Sequence, residues 1–301
     1  MEGTAPRLRP RSVTEIVDGM FSLYRRHFLL LSGVCAITAL PQAIIAIALA
    51  QSVHVRALPN ETYVQADTQE LIDNLTAWYA AGGLTTLSYV LFAVLTLGAL
   101  SRAVSACYLG ERISIVEAYT SVGIAPYLRL LGAFLLALVG VCVALVALVV
   151  GAVLLVGLVG TFSTVAAVIV GIVAFLAIAG LSIYVALHWI FVTQAVILER
   201  AGVFRSFARS WRLAHGSTLR IFVFVALLVL IVSVVFWIVT AVSVGLSLGN
   251  VTVAAGISSI LGILSQPIQL GGVTLLYYDQ RIRKEGFDLE YGARWASTYA
   301  R

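Results

Sequence analysis

The chain has 301 residues, of which 61% are hydrophobic and only 11% are charged. Soluble domains carry about 25% charged residues, so this composition excludes an ordinary soluble protein. The formal net charge of +5 does not by itself indicate nucleic-acid binding, because arginine near the ends of membrane spans sets their orientation. Several uncharged stretches exceed the roughly 20 residues that cross a bilayer as a helix, so the sequence predicts an all-α polytopic integral membrane protein.

Six apolar segments are predicted to span the membrane. The first two are residues 28–50 and 82–106, and the last two are 219–246 and 252–278. The long uncharged block between them, 130–198, has room for two long helices or three tight ones. Its glycine, serine and threonine residues near the middle favour a turn at 157–164. Two helices of such length would have to tilt or protrude from a hydrocarbon core of about 30 Å.

The positions of arginine choose between these two possibilities. Basic clusters precede the first span and follow the second span, the long uncharged block and the last span. The segment 51–80 instead carries four acidic residues against a single arginine. Two helices in the block put every basic cluster on one side of the membrane, whereas three would separate them. The positive-inside rule therefore predicts six transmembrane helices with the N- and C-termini both cytoplasmic.

A short segment with helical periodicity precedes each odd-numbered span. In the first segment, "VTEIVDGMFSLY", apolar residues recur at the spacing of one helix face. The same periodicity is clear in the third segment, at 204–211, and weaker in the second, at 113–119. These segments predict three cytoplasmic interfacial helices. The chain would then consist of three repeated units in one membrane domain, about 11–107, 112–199 and 202–285, followed by a cytoplasmic tail at 286–301.

The third of these segments, "GVFRSFARSWRLAHG", is a candidate for lipid recognition. An apolar stripe and a row of arginines lie on different faces of the predicted helix. The apolar stripe consists of Phe204, Phe207, Ala208 and Trp211, and the basic row consists of Arg205, Arg209 and Arg212. Helices of this type lie in the membrane interface and attract anionic headgroups. Alternatively, the three arginines only set the topology. We expect membrane lipids, or a membrane protein of unknown identity, as partners, and no nucleic acid.

Amides beside prolines are the most distinctive polar groups within the spans. The candidates are Gln42 next to Pro41, Gln266 and Gln269 on either side of Pro267, and Gln194 in the fourth span. Buried amides, and carbonyls freed by proline, must be satisfied by protein or water in a hydrocarbon environment. Two interpretations remain open. The kinked first and last helices bond to each other, or they enclose an intramembrane polar notch that admits a ligand or a lipid headgroup.

The last span ends in the dense charge cluster "YYDQRIRKEGFDLE" at 277–290. Two tyrosines suit the headgroup region, opposite charges stand four residues apart, and a glycine is placed to end the helix. The residues concerned are Tyr277 and Tyr278, the pairs Asp279–Arg283 and Arg281–Glu285, and Gly286. This spacing predicts a helix that leaves the membrane and is stabilised by ion pairs, without any catalytic role.

The chain resembles a bacterial membrane family in three stretches and in the order in which they occur. These stretches are "RPRSVTEIVDGMFSLYRRHF", "ERAGVFRSFARSWRLAHGSTLR" and "LLYYDQRIRKEGFDLE". The family is the membrane domain fused to some glycerophosphoryl diester phosphodiesterases. The resemblance covers nearly the whole chain and implies a six-span protein of the bacterial cytoplasmic membrane. Stand-alone members of that family have no assigned function, and the catalytic domain of the fused proteins has no counterpart in this sequence.

The sequence contains no pattern typical of an enzyme or a metal site. HExxH, GxSxG, GxGxxG and P-loop patterns are all absent, the four histidines are far apart, and the three cysteines show no CxxC spacing. We therefore expect no cofactor, no metal and no catalytic residue. The leading interpretation is a non-enzymatic membrane protein that engages anionic lipid or a membrane partner. The alternative is a transporter or lipid-handling permease that uses the polar notch.

Overall fold

A computed structural model describes residues 9–52, 68–246 and 251–299, and every regular element in these ranges is an α-helix. The helices are α1 (Val13–Arg26), α2 (Phe28–Ser52), α3 (Thr68–Tyr108), α4 (Ile115–Thr120), α5 (Ile124–Gly160), α6 (Thr164–Trp189), α7 (Val192–Leu198), α8 (Val203–Ala214), α9 (Thr218–Leu246), α10 (Val251–Glu285) and α11 (Phe287–Tyr299). The predicted all-α class is confirmed. Most of the predicted outer segment, residues 53–67, and the outer turn at 247–250 lie outside the described residues.

Six helical stretches are long and apolar enough to cross a membrane, as the sequence predicts. They are Phe28–Ile45, Gly82–Tyr108, Ile124–Gly160, Thr164–Leu198, Thr218–Val242 and Ile260–Glu285. The long uncharged block forms two helices, and the turn between them falls at 161–163, within the predicted range. At a rise of 1.5 Å per residue α5 is about 55 Å long, so it exceeds the hydrocarbon thickness by a wide margin.

Helix α10 lies at the centre of the bundle and packs against α1, α2, α3, α8, α9 and α11. Two adjacent glycines allow the close approach of its neighbours. A Cβ atom at Gly271 would lie 2.4 Å from the Met20 sulfur on α1, and one at Gly272 would lie 3.2 Å from the Phe224 ring on α9. Small residues at helix interfaces are typical of membrane bundles, where close packing drives association.

The hairpin of α5 and α6 lies largely outside this central bundle. The two helices pack on each other, and many of their large apolar side chains are exposed; the exposed fraction is 68% for Leu154 and 69% for Phe175. An apolar helix that is exposed in this way needs hydrocarbon around it. The hairpin therefore presents the surface expected of a lipid-facing pair.

The short helices have clear start signals. Ser12 and Glu15 form a capping box at the start of α1, and Ser114 and Glu117 form a second one at the start of α4.

The apolar face of α1 is buried against protein, and the Tyr24 hydroxyl near its end donates a hydrogen bond to the Leu264 carbonyl of α10 at 3.0 Å. The contacts of α1 thus extend well along α10.

The charge cluster at the end of α10 forms the predicted ion pairs. Arg283 and Asp279 are 3.0 Å apart, and Arg281 and Glu285 are 3.1 Å apart. Gly286 ends the helix with a φ of +64°, a value that favours glycine. The chain then continues as α11, so the predicted tail at 286–301 is helical over most of its length.

Tyr277 and Tyr278, which the sequence suggests for a headgroup belt, do not face outward but are buried inside the bundle. Their exposed fractions are 0% and 4%, because α10 is surrounded by other helices. The Tyr278 hydroxyl bonds to Ser105 of α3, and its ring stacks on Tyr108 with centroids 5.3 Å apart. A buried tyrosine hydroxyl needs a partner, and both of these tyrosines have one within the protein.

Candidate functional site

Helix α8 has three distinct faces rather than the two that its sequence suggests. The buried face carries small or aliphatic residues, namely Ser206, Ser210, Leu213 and Ala214. An aromatic side and a basic side flank it on either edge. The buried face is not apparent from the sequence because serine and alanine do not stand out in a hydrophobic pattern.

Ser210 explains why the buried face needs a hydroxyl group. The break between α6 and α7 leaves backbone groups without helical partners. The Ser210 hydroxyl donates to the His188 carbonyl at 2.6 Å and accepts from the Phe191 amide at 3.1 Å. Unsatisfied backbone groups at membrane depth are costly, so this serine holds α8 against the broken helix.

The aromatic side of α8 is partly anchored and partly free. The Phe207 ring packs edge-on against Trp189, and the Trp211 ring lies 4.3 Å from the His188 ring by centroid distance. Phe204 has an exposed fraction of 78%, and Trp211 one of 39%. Large aromatic groups that remain exposed next to an apolar bundle suit the membrane interface.

The three arginines of α8 do not share one environment. Arg205 and Arg212 are exposed, whereas the Arg209 side chain has an exposed fraction of only 16%. Arg209 donates to both carboxylate oxygens of Glu199 at 2.8 Å and bonds both oxygens of Glu285. The structure thus separates Arg209 from the predicted lipid-binding row. We refer to Phe204, Arg205, Trp211 and Arg212 as the α8 surface.

Glu199, Arg209 and Glu285 belong to a larger network that we call the Arg209 clamp, completed by Tyr277 and Arg281. The Tyr277 hydroxyl donates to Glu199, and the Arg281 guanidinium lies 3.6 Å from the same carboxylate. Burial raises the pKa of Glu199, but hydrogen bonds from Arg209 and Tyr277 outweigh this effect and leave the pKa below its ordinary value. The same carboxylates raise the pKa of Arg209. The clamp therefore fixes charges instead of offering a titrating group.

A second set of contacts ties the N-terminal segment to the end of α10. The Asp279 carboxylate, 3% exposed, accepts from the Arg11 amide at 2.8 Å and pairs with Arg220 at 2.7 Å. The Arg11 carbonyl in turn accepts from Arg220 and Arg283. Lys284, the only lysine of the chain, donates to the last carbonyls of α8, including Leu213 at 2.9 Å. These groups have a structural role, consistent with their spacing.

Gln42 and Gln266 lie on a common cavity inside the spans. The cavity has a volume of about 200 Å³ and lies between α2, α3 and α10. The Gln42 Oε1 atom is buried and has no hydrogen-bond partner among the described residues. Thr38 and Thr96 also line the cavity, and their hydroxyl oxygens are 2.5 Å apart. The structure therefore brings together two of the four predicted amides.

A family model described as "Domain of unknown function (DUF7847)" matches residues 16–279. The chain belongs to this family. No curated protein and no solved structure matched the chain. The match runs from the first turn of α1 to Asp279, so the DUF7847 domain contains the α8 surface, the cavity and all six candidate spans except the final turns of α10.

The other two predicted amides of the DUF7847 domain lie apart from the cavity. Gln194 on α7 is fully buried, and its Nε2 atom is 3.4 Å from the Thr274 hydroxyl of α10. Its Oε1 atom has no partner among the described residues. Gln269 is exposed on α10 and does not line the cavity. No group of three or more His, Cys, Asp or Glu residues suited to a metal ion occurs in the described ranges of the domain.

Proposed function

We propose that this DUF7847 protein is a non-enzymatic membrane protein whose α8 surface binds anionic lipid headgroups at the cytoplasmic side of the bilayer. One observation carries the proposal. Arg205 and Arg212 are exposed on one side of α8, and Phe204 and Trp211 are exposed on another, while Arg209 is engaged by carboxylates. Exposed guanidinium groups next to exposed aromatic rings match the interface between headgroups and acyl chains.

The proposal includes the orientation and organisation of the chain. Arginine-rich segments support cytoplasmic N- and C-termini, and α1, α4 and α8 each precede a long apolar helix, as expected for three repeated units with interfacial helices. The resemblance to the membrane domain of some glycerophosphoryl diester phosphodiesterases supports a place in the bacterial cytoplasmic membrane. A non-catalytic role is supported by the absence of catalytic sequence patterns.

The expected lipid preference follows from the charges that remain free. Each basic residue near an anionic membrane surface contributes about 1 kcal/mol, so Arg205 and Arg212 together contribute roughly 2 kcal/mol. Arg209 adds little, because Glu199 and Glu285 neutralise it within the protein. Guanidinium groups bind phosphate through two parallel hydrogen bonds, which favours arginine over lysine for this task.

Fluorescence quenching of full-length protein in vesicles tests this proposal. A variant that retains Trp211 as its only tryptophan is reconstituted with brominated phosphatidylglycerol or brominated phosphatidylcholine. We expect stronger quenching by the anionic lipid, and a loss of preference of about 30-fold when Arg205 and Arg212 both become Gln, since each tenfold corresponds to about 1.4 kcal/mol.

The matched control removes two exposed arginines from another helix, Arg25→Gln with Arg26→Gln on α1. It changes net charge by the same amount and leaves α8 intact. If this control lowers the lipid preference at Trp211 as much as the α8 variant does, the arginines act only through total charge. An unchanged preference in the α8 variant itself would contradict the proposal directly.

The second candidate function is a transporter or lipid-handling permease. The observation that favours it is the cavity of about 200 Å³ that contains Gln42 and Gln266 within the spans. Its test is the movement of fluorescent lipids between the two leaflets of proteoliposomes. Acceleration above protein-free vesicles would support this function, and equal rates in both preparations would remove it.

A further inference from the structure

The cavity that contains Gln42 has both polar and apolar residues in its wall but carries no formal charge. None of its ten lining residues is Asp, Glu, Lys, Arg or His. An ion placed there would lose its hydration without gaining a counter-charge, and burial of an unpaired charge is strongly unfavourable. The cavity is therefore suited to an uncharged ligand. The aliphatic and aromatic groups that complete its wall include Ala39, Ala43 and Phe92.

The polar atom of the cavity wall that is buried without a partner among the described residues is an acceptor, Gln42 Oε1. The Thr96 hydroxyl can donate to the Phe92 carbonyl at 2.8 Å, and the Thr38 hydroxyl can donate to Thr96 at 2.5 Å or to the Cys35 carbonyl at 3.1 Å. A hydroxyl has only one proton to donate, so these contacts satisfy both threonines within the helices. Gln42 Oε1 remains buried without a donor among the described residues.

The volume of the cavity indicates a ligand larger than a single bridging water molecule. A water molecule occupies about 30 Å³ of liquid, so a cavity of about 200 Å³ could hold several. Each buried water needs two to four polar partners, and the apolar wall of the cavity does not supply them for so many. An amphiphile fits better, because one polar group can meet Gln42 while its hydrocarbon part covers the wall.

We infer that this cavity, the Gln42 cavity, binds an uncharged amphiphile that donates a hydrogen bond from an O–H or N–H group to Gln42 Oε1. A neutral lipid with a free hydroxyl and a small alkyl alcohol share this chemistry. The inference deepens the second proposed function, the permease, by naming its ligand class, but binding does not require transport. It is independent of lipid binding by the α8 surface, because none of the α8 residues lines the cavity.

Gly262 offers a way to fill the cavity without disturbing the helices. It lines the cavity on α10, and a Cβ atom built on it would meet nothing within 4 Å among the described neighbours. A leucine at this position is expected to fill part of the open space beside it, and leucine favours helix over glycine. Gly180 on α6 is a matched control, since a Cβ there also meets nothing within 4 Å and it lies outside the cavity.

Photolabelling with a diazirine-bearing octanol tests the inference on full-length protein in phosphatidylcholine vesicles. Adducts are mapped by mass spectrometry of peptides. We expect labelling at residues 38–43, 89–96 and 262–266. Gly262→Leu should lower it at least fivefold, and Gly180→Leu should not. Gln42→Met keeps the approximate shape of the side chain but removes the acceptor, and should weaken labelling about fivefold, as expected for loss of one hydrogen bond.

Competitors define the ligand chemistry. Unlabelled octanol should displace the probe, whereas octyl methyl ether, which has no donor, and octanoate, which is charged, should compete at least fivefold less well. Displacement by diacylglycerol would identify a membrane lipid as the source, and displacement by octanol alone would identify a small alcohol. Both results support the shared chemistry. Equal competition by the ether or by octanoate would overturn it.

Two further results would overturn the site itself. They are labelling that is spread over the lipid-facing surface and labelling that persists in Gly262→Leu. Gly262→Ala is the second variant if the leucine does not fold, and it should give a smaller loss. Lipid movement without adducts would remove only this inference, whereas adducts without lipid movement would remove only the permease.

Discussion

Replacement of Arg209 by Gln tests whether the Arg209 clamp holds the cytoplasmic ends of the helices together. The substitution removes the cation that bonds Glu199 at the end of α7 and Glu285 at the end of α10. Both carboxylates are largely buried, with exposed side-chain fractions of 22% and 28%. The variant would leave them close to each other with fewer donors. We expect a marked loss of stability with no effect that depends on lipid charge.

The expected loss of stability depends on how deeply the ion pairs are buried and on the contacts that the two carboxylates keep in the variant. Removal of one partner from a buried ion pair costs about 3–5 kcal/mol, whereas an exposed pair is worth about 0–1 kcal/mol. The clamp is mostly buried, but Arg281 still lies 3.6 Å from Glu199 and 3.1 Å from Glu285. We therefore expect a loss near the lower end of the buried range, about 3 kcal/mol.

Unfolding of the reconstituted protein by a denaturing detergent, followed by circular dichroism, measures the effect. Arg205→Gln and Arg212→Gln are matched controls on the same helix, and as exposed substitutions they should change stability by less than about 0.5 kcal/mol. Combining Arg209→Gln with Glu199→Gln should cost less than the sum of the two single variants, because these residues interact directly.

The pH dependence of stability is an independent test of the clamp. The native pKa of Glu199 lies below its ordinary value of 4.5, so the native state binds fewer protons than the unfolded state near that pH. Its contribution to stability is present above pH 4.5 and is lost as the pH falls through the native pKa. The difference between wild type and Arg209→Gln should shrink in that window. A loss equal to that of Arg205→Gln, or a difference that grows in acid, would refute this account of the clamp.

Two other predictions concern topology and helix packing. Reporter fusions after Gln69 and Ser163 should be found outside the cytoplasm and those after Ala201 and Arg301 inside it; an outside C-terminus would contradict the six-span orientation. Gly98→Ala should cost about 1–3 kcal/mol, as overpacking does, because the new Cβ would lie 2.4 Å from the Tyr127 ring. Gly83→Ala on the same helix, where nothing lies within 4 Å, should be neutral or stabilising in the same unfolding assay.

The features that the sequence predicted well are those that depend on neighbouring residues. Span lengths follow from uncharged runs, and the turn at 161–163 follows from residues that suit turns. The ion pairs that follow Tyr278 have an i,i+4 spacing, which a helix brings together whatever surrounds it. Periodicity also located α8 and α1, although the capping boxes at Ser12 and Ser114 would have given sharper start points.

Features that depend on residues far apart in the chain were harder to predict from the sequence. Glu199 and Glu285 are 86 positions apart, and nothing in the pattern of either segment indicates that Arg209 bonds both. A carboxylate at the end of a long uncharged block was the available signal, since an isolated charge at a span boundary needs a partner or water. The burial of Tyr277 was missed for a related reason. Its place depends on the number of helices around α10, which composition does not report.

The dense charge cluster at the end of an otherwise apolar chain is explained by these distant contacts. Asp279 binds the N-terminal segment, Lys284 binds the end of α8, and Arg281 and Glu285 join the Arg209 clamp. Together these charges connect α10 to the N-terminal segment, to the end of α7 and to α8 at one end of the bundle. Further along α10 the polar groups are uncharged: Thr274 contacts Gln194 of α7, and Gln266 lines the Gln42 cavity. Ionic contacts fix one end of α10, and packing together with uncharged hydrogen bonds from Tyr24 and Gln194 holds the remaining helix around the space where we place the ligand.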